Sequence, residues 1–422
     1  MELLAILLLA GNACLMSRLI ENESPGAGLL SFFLLFYGQL IGLLLFLGWC
    51  GAVNLFSLTL LAGLLFLFLL VNQPQLKRQP CVACFSLHLP TPIILCLSLT
   101  VATYLVVVCS QAIYHGLTTD ALLYHLPFAA RWYQAGKILP VPLVFSDVAM
   151  SYYPINGNVV FLAHFLFLKS DFLLRFSQLP FALIAGLAFF LLLQQVGISP
   201  GKSFAGACLL LLFRPILRQS IIAFVDLMVV AFFLSAVYYF SQPGRKNFLL
   251  GSLATGLLVG TKTTGCLLLL PLALLLSVRF PRRNGSPGLP AILTGFFIFF
   301  YFGGYSYLNN FLLTGNPFYP ARISCGAFHW PGFYLFPAVS LPEKGRILYN
   351  TFRRPFSSVD ASRTSTLVLG LLWLATVLRS LKKPRLLLHL LTPAVVVLAY
   401  LIFIPVNYFQ LRHLLCIYPF LL

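Results

Sequence analysis

Acidic side chains are scarce: nine Asp and Glu stand against 27 Lys and Arg, and 9% of the 422 residues are charged. With 60% hydrophobic residues, this excludes an ordinary soluble domain, in which about a quarter of the residues carry charge. Regular polar–apolar alternation is lacking, which argues against a transmembrane β-barrel. No basic flank precedes the apolar start Met1-Glu2-Leu3-Leu4, so residues 1–17 are expected to stay as an anchor rather than act as a cleaved signal. No basic stretch interleaved with aromatics lies in a polar segment, so the net charge of +18 does not predict nucleic-acid binding. It suits cytoplasmic loops and anionic headgroups instead. No second pair answers Cys81-Val82-Ala83-Cys84 with His88, so a zinc site is not expected. Most other cysteines, among them Cys14, Cys50, Cys96, Cys208 and Cys266, sit inside apolar runs as small apolar side chains. Asn22-Glu23-Ser24 matches a glycosylation sequon, weakly, beside an apolar run.

What the chain does have is repeated apolar runs of about 17–25 residues, the length that crosses a bilayer as a helix. The expected fold is an all-α polytopic membrane protein. Basic clusters mark the cytoplasmic side: Lys77-Arg78, Arg245-Lys246, Arg279 with Arg282-Arg283, and Lys382-Lys383 with Arg385. With these inside, run 29–50 goes out, 52–72 returns and 92–112 goes out. Run 155–168 is short and is expected to lie at the outer surface or to be re-entrant. Runs 172–195, 203–220 and 226–241 then alternate. Residues 248–278 are expected as two short helices joined at Gly260-Thr261-Lys262-Thr263-Thr264-Gly265, where the glycines permit a turn. Runs 290–312, 366–380 and 386–406 complete the alternation.

Two larger external loops result, about 113–171 and 313–365. The second holds Arg322, Lys344, Arg346, Arg353, Arg354 and Arg363. Either that orientation is reversed or these cations meet an anion such as a lipid phosphate. Residues 1–91 form an N-terminal part and 92–422 a main module. The last apolar run stops at Leu422 after about ten residues, too few to span, so the chain is expected to continue.

Against so few acids, Asp120 in Asp120-Ala121-Leu122-Leu123-Tyr124-His125-Leu126-Pro127 stands out. Ionisable residues at membrane depth carry function by default. On an α-helix Asp120, Tyr124, Pro127 and Arg131 would form one stripe. The plain structural alternative for Asp120 is an acid at a helix N-terminus, and aromatics such as Tyr124 are common at interfaces. Asp226 lies in an apolar context, where an unpaired carboxylate costs at least ~2.5 kcal/mol; Arg214 and Arg218 are near enough in sequence to pair with it. Gly256 to Thr263 looks like a P-loop, but Lys262 comes one residue late and no strand or soluble domain surrounds it, so ATP binding is rejected. Lys262 suits a phosphate oxygen or a snorkelling lysine. Gly315-Asn316-Pro317-Phe318-Tyr319-Pro320 reads as a turn, and Arg412-His413 as a basic pair between apolar runs.

In this order the pieces resemble the GT-C superfamily of membrane glycosyltransferases, especially the dolichyl-phosphate-mannose and aminoarabinose transferase types. The likeness rests on Asp120-x-x-x-Tyr124-His125-x-Pro127, Tyr153-Pro154, Asp226 opening a helix, the Lys262 turn, Thr314 to Pro320, and Arg412-His413. It covers roughly 92–422. Residues 1–72 add helices before the usual first one. The resemblance implies a bundle of roughly 10–13 transmembrane helices in a bacterial inner membrane, with the active site on the periplasmic face. It implies inverting transfer of a sugar from a polyprenyl-phosphate donor to a lipid or glycan acceptor, less readily a protein. Asp120 would be the general base. Lys262, Arg131 and Arg412 would stabilise the departing phosphate, with Tyr124, His125 and His413 in substrate binding. Asp226 would orient the acceptor, or with Asp120 hold a divalent metal ion, which only some family members use. The rival is a transporter or flippase of lipid-linked sugars, for which discontinuous helices are typical. The chain has no internal repeat, and its large external loops favour an enzyme.

Overall fold

A computed structural model describes residues 1–20, 24–72, 90–114, 116–141, 148–279, 287–325, 328–332 and 334–335, with isolated later positions and a short helix Tyr418–Leu421. The Cys81/Cys84 pair, the sequon at Asn22, Arg353, Arg354, Arg363, Arg412, His413, run 366–380 and all but isolated positions of run 386–406 lie outside the described residues. The described chain is mainly helical. Four helical stretches are long and apolar enough to cross a membrane: Glu2–Leu19, Pro25–Cys50, Thr91–Ile113 and Phe172–Gln195. A fifth arises if the bent pair Leu289–Gly303 and Tyr305–Thr314 counts as one span. Contacts divide the chain into two units.

The first unit comprises Met1–Ser151, Ile155–Pro180 and Ile221–Phe224. Helices α1 (Glu2–Leu19), α2 (Pro25–Cys50) and α3 (Leu55–Val71) pack together. Ser24 caps α2 through the amide of Ala27, Pro25 opens it, and Gly51 closes it at φ +68°, a left-handed position suited to glycine. Asn54 caps α3 by accepting from the amide of Ser57. Polar side chains inside this trio find partners: Asn12 Nδ2 donates to Ala62 O at 3.0 Å, and Ser17 Oγ lies 3.0 Å from Ser31 Oγ. Helix α4 (Thr91–Ile113) is mainly apolar and buries only Thr100, its other residues being exposed or half-exposed. Then follow α5 (Leu126–Ala135) and α6 (Asn156–Leu168). The short α6 forms where expected, and most of its residues are buried within the unit.

One end of this unit is tied by several contacts. Val53 N donates to Gly136 O at 2.7 Å, and the Ile138 side chain sits where a Cβ on Gly48 would be. Arg175 donates to Gln111 O at 3.2 Å, and Lys169 Nζ is 3.3 Å from a Glu2 carboxylate oxygen. Each contact joins segments that the alternating pattern assigns to the same side.

The second unit comprises Tyr152–Pro154, Phe181–Ser220 and Val225–Leu422. It contains most of α7 (Leu179–Gln195), then α8 (Pro200–Leu212) and α9 (Arg214–Gln219). Run 203–220 is therefore not one helix. Phe213 is extended at φ −63°, ψ 122°, because Pro215 has no N–H with which to continue the helix. Helix α10 (Asp226–Ser241) is buried along its whole length. It packs against α11 (Arg245–Thr261) and α12 (Leu269–Arg279).

Helix α13 (Leu289–Gly303) lies close against α11 through glycine. A Cβ on Gly256 would stand 3.0 Å from Phe299 O, and one on Gly303 3.2 Å from Gly256 O, the close backbone approach that small residues give apolar helices. Run 290–312 is also not one helix: α13 and α14 (Tyr305–Thr314) meet at 62° beside Gly303-Gly304, and small-residue pairs permit such bends. After α14, Gly315 turns the chain at φ +74°. Within loop 313–365 a small sheet follows, from β1 (Ala321–Cys325), β2 (Phe328–Trp330) and β3 (Tyr334–Leu335), in the order β2-β1-β3. β1 pairs antiparallel with β2 and parallel with β3. Arg322 is exposed on β1.

Candidate functional site

Asp226 is the first residue of α10, and its side chain is 4% exposed. Fifteen apolar or hydroxyl residues behind it are buried, which carries the carboxylate inward with the helix. A carboxylate in a first helical turn meets the positive end of the helix dipole. Its ion-pair partner is Lys262, with Nζ 2.6 Å from Oδ1. Arg214 and Arg218 were nearer in sequence, but Lys262 holds this oxygen; Arg214 is exposed.

Lys262 reaches Asp226 because the helical path breaks at it. α11 stops at Thr261, Lys262 is extended at φ −156°, ψ 141°, and a 3-10 turn Thr263–Leu268 leads into α12. Gly265 N donates to Lys262 O at 2.8 Å. A Cβ on Gly265 would lie 2.7 Å from Leu258 O, so glycine alone lets the turn fold back on α11. The Tyr307 hydroxyl donates to Val259 O at 3.3 Å and lies 3.1 Å from Cys266 Sγ, gripping the chain on both sides of Lys262.

One face of α14 links this turn to two other sequence motifs. Tyr307 contacts the Lys262 turn, and its ring lies 5.7 Å from that of Phe318. Asn310 donates to Tyr152 O at 2.9 Å and to Tyr319 O at 3.4 Å. Thr314 Oγ1 donates to Asn310 O at 2.8 Å. Asn316, fully buried, donates to Ala321 O and Pro331 O and accepts from Phe318 N. The Tyr152 and Tyr319 rings meet at 4.4 Å. The segment before Tyr153-Pro154, the turn Thr314 to Pro320 and the Lys262 turn thus share one scaffold. Sequence reasoning singled out Thr314, as the start of the Thr314 to Pro320 stretch, but not Tyr307 or Asn310. Their signal was polar side chains at helical spacing within an apolar run.

In the first unit Asp120 is half-buried near the start of a helical stretch over 119–135. That stretch is not uniformly α: Ala121–His125 form a wide π-turn directly before Pro127. A proline inside an α-helix clashes with the carbonyl four residues back and gives no N–H; the wider turn accommodates it. The extra residue rotates the rest of the helix by about 100°, so the expected stripe is broken. Leu126, Phe128, Ala129 and Trp132 face inward, and Arg131 is exposed. His125 is buried, with Nδ1 2.6 Å from Asn158 Oδ1 and its ring 5.5 Å from Phe161 and 6.5 Å from Phe224. Tyr124 is half-buried with its ring 4.1 Å from His125. Arg175, also unanticipated, is buried and donates to the carbonyls of Phe172 and Gln111, a structural role.

The donor set does not fit a divalent ion. Among the described residues no three His, Cys, Asp or Glu side chains converge, and Asp226 is engaged by an ammonium. No family model, no curated protein and no solved structure matches this chain.

Proposed function

We propose that the chain is a polytopic membrane glycosyltransferase of the GT-C type. It moves a sugar from a polyprenyl-phosphate donor to a lipid or glycan acceptor at the periplasmic face of a bacterial inner membrane. The observation that carries this is the Asp226–Lys262 pair, its carboxylate buried and its ammonium partly exposed, set at a helix start and a helix break within apolar surroundings. Ionisable residues at membrane depth mark substrate paths. A lysine there suits a phosphate as a point charge. Same-side contacts such as Val53–Gly136 and Gln111–Arg175 support the alternating topology.

In this mechanism the acceptor hydroxyl gives its proton to Asp120 as its oxygen bonds to the anomeric carbon. The bond from that carbon to the phosphate oxygen breaks, and the phosphate leaves with the electron pair. Lys262 in the second unit stabilises the charge it gains, with Arg131 and Arg412 as further cations. Tyr124, His125 and His413 contact the substrates. Asp226 serves Lys262 rather than a metal ion. The bend at Gly303-Gly304 and the turn at Lys262 favour one alternative, a flippase of lipid-linked sugars, since broken helices are usual in transporters.

Membranes containing the chain, supplied with a panel of radiolabelled polyprenyl-phosphate sugars, separate the two. A transferase yields a new labelled product with inverted anomeric configuration. Labelled lipid crossing the bilayer without any transfer makes the chain a flippase.

A further inference from the structure

Threonines inside the helices satisfy their hydroxyls within the same helix. Thr100, Thr255, Thr261 and Thr294 each donate to the carbonyl four residues back, at 2.6–2.8 Å, a bond that hydroxyl side chains make readily in helices. Thr263 and Thr264 differ. Neither hydroxyl has a hydrogen-bond partner among the described residues. The helix break is the cause. Lys262 is extended, so the carbonyls four residues back from the two threonines are no longer placed to accept. Val259 O accepts from the Tyr307 hydroxyl instead. Thr263 is exposed and Thr264 half-buried, and the Lys262 side chain beside them is 20% exposed. Three consecutive polar residues thus form one turn, closed by Gly265 N donating to Lys262 O at 2.8 Å.

We propose that Lys262, Thr263 and Thr264 form one binding site for the phosphate of a lipid. This rests on the proposal above that Lys262 meets a lipid-linked phosphate, and it adds the two threonines as the residues that orient it. An ammonium attracts phosphate as a point charge and leaves its rotation open. A hydroxyl donates its single O–H along one direction. Two hydroxyls beside the ammonium therefore fix which phosphate oxygens face the turn. Depth points to a lipid rather than a soluble phosphate. α11 runs 17 residues from Arg245 to Thr261, which places Lys262 roughly 25 Å from the cytoplasmic hairpin before it. A hydrocarbon layer about 30 Å thick then ends about one helical turn beyond, where lipid phosphates begin. The flexible stem of a lysine spans such a gap. Asp226, 4% exposed, holds the ammonium from the buried side, and the threonines stand toward the surface.

The test is direct binding to the purified full chain in uncharged maltoside micelles, where no phospholipid competes. The probes are dodecyl phosphate and a short-chain phosphatidylglycerol, each titrated by phosphorus NMR. Thr263→Val and Thr264→Val remove a hydroxyl at nearly constant shape. Each is expected to weaken dodecyl phosphate about tenfold, the scale of a hydrogen bond to a charged group. Thr263→Ser and Thr264→Ser keep the hydroxyl and are expected to keep the binding. Thr261→Val, whose hydroxyl is already bonded to Leu257 O, is expected to bind like the wild type. Alanine at 263 and 264 is the second variant should valine disturb the fold, and it reads the same way. A valine or alanine variant that binds like the wild type overturns the three-residue site. So do serine variants that lose as much as valine, an equal loss in Thr261→Val, or a wild type that binds neither probe. Threonine-dependent binding of dodecyl phosphate alone assigns the site to a carrier lipid, and of phosphatidylglycerol as well to bilayer headgroups; either result upholds it. Threonine-dependent binding by a chain that transfers no sugar defeats the glycosyltransferase reading and keeps the site. Transfer by a chain whose valine variants bind normally defeats the site alone.

Discussion

Lys262 Nζ lies 2.6 Å from Asp226 Oδ1, joining the first residue of α10 to the residue that separates α11 from α12. Both charges are needed or neither. Removing one leaves the other in apolar surroundings; breaking a fully buried pair costs about 3–5 kcal/mol, and this one, with Lys262 partly exposed, falls at or below the lower end of that range. Asp226→Ala and Lys262→Met are each expected to lower stability by that order, and the neutral pair Asp226→Asn with Lys262→Gln by clearly less. Thermal unfolding in one detergent, arranged as a double-mutant cycle, reads the coupling. Additive losses would mean that the pair is incidental.

The turn that presents Lys262 depends on Gly265. A methyl there would stand 2.7 Å from Leu258 O, and backbone must shift to admit it. Gly265→Ala is expected to destabilise the protein by about 1–3 kcal/mol. Gly51→Ala is expected to be milder, since its Cβ meets nothing within 4 Å and only the left-handed φ resists it. The two melting temperatures, measured side by side, check the order; equal losses would remove the packing explanation.

Much of this arrangement was legible in the sequence because apolar runs end where charge and glycine begin. Run 226–241 is the buried helix Asp226–Ser241, and 248–278 forms two helices parted at Lys262. What escaped was everything long-range. Nothing local tells that Asp226 pairs with a lysine 36 residues away rather than with Arg214 or Arg218. Tyr307 and Asn310 were hidden in a run that also bends. The π-turn did have a local signal, Pro127, but a wheel drawn at 3.6 residues per turn passes over it. The sheet over 321–335 lies where the pattern offered a loop, since its pairing, like the ion pair, is made through space.

The π-turn is held from outside by the buried bond between His125 and Asn158. Asn158→Leu removes that bond and is expected to cost about 1–3 kcal/mol. Amide hydrogen exchange over residues 119–126 should rise with it. Unchanged protection there would show that Pro127 alone maintains the turn.

Sidedness is open to a direct check within the first unit. Single cysteines at Asn54, Lys137 and Lys169, in a chain whose native cysteines are replaced, are expected to react with an impermeant maleimide from one side of the membrane. A cysteine at Arg18, at the far end of α1, is expected to react from the other. Labelling of Arg18 together with Lys169 would overturn the alternating topology, because Lys169 is paired with Glu2 at the opposite end of α1.

The central claim is that Asp120 takes a proton during sugar transfer. The measurement that bears on it most directly is the rate of transfer from the accepted polyprenyl-phosphate sugar, wild type against Asp120→Asn, in one membrane preparation with donor binding measured in parallel. Loss of a general base predicts a fall of about 10²–10⁴-fold with donor binding kept. An Asp120→Asn protein that transfers sugar at the wild-type rate would contradict the account.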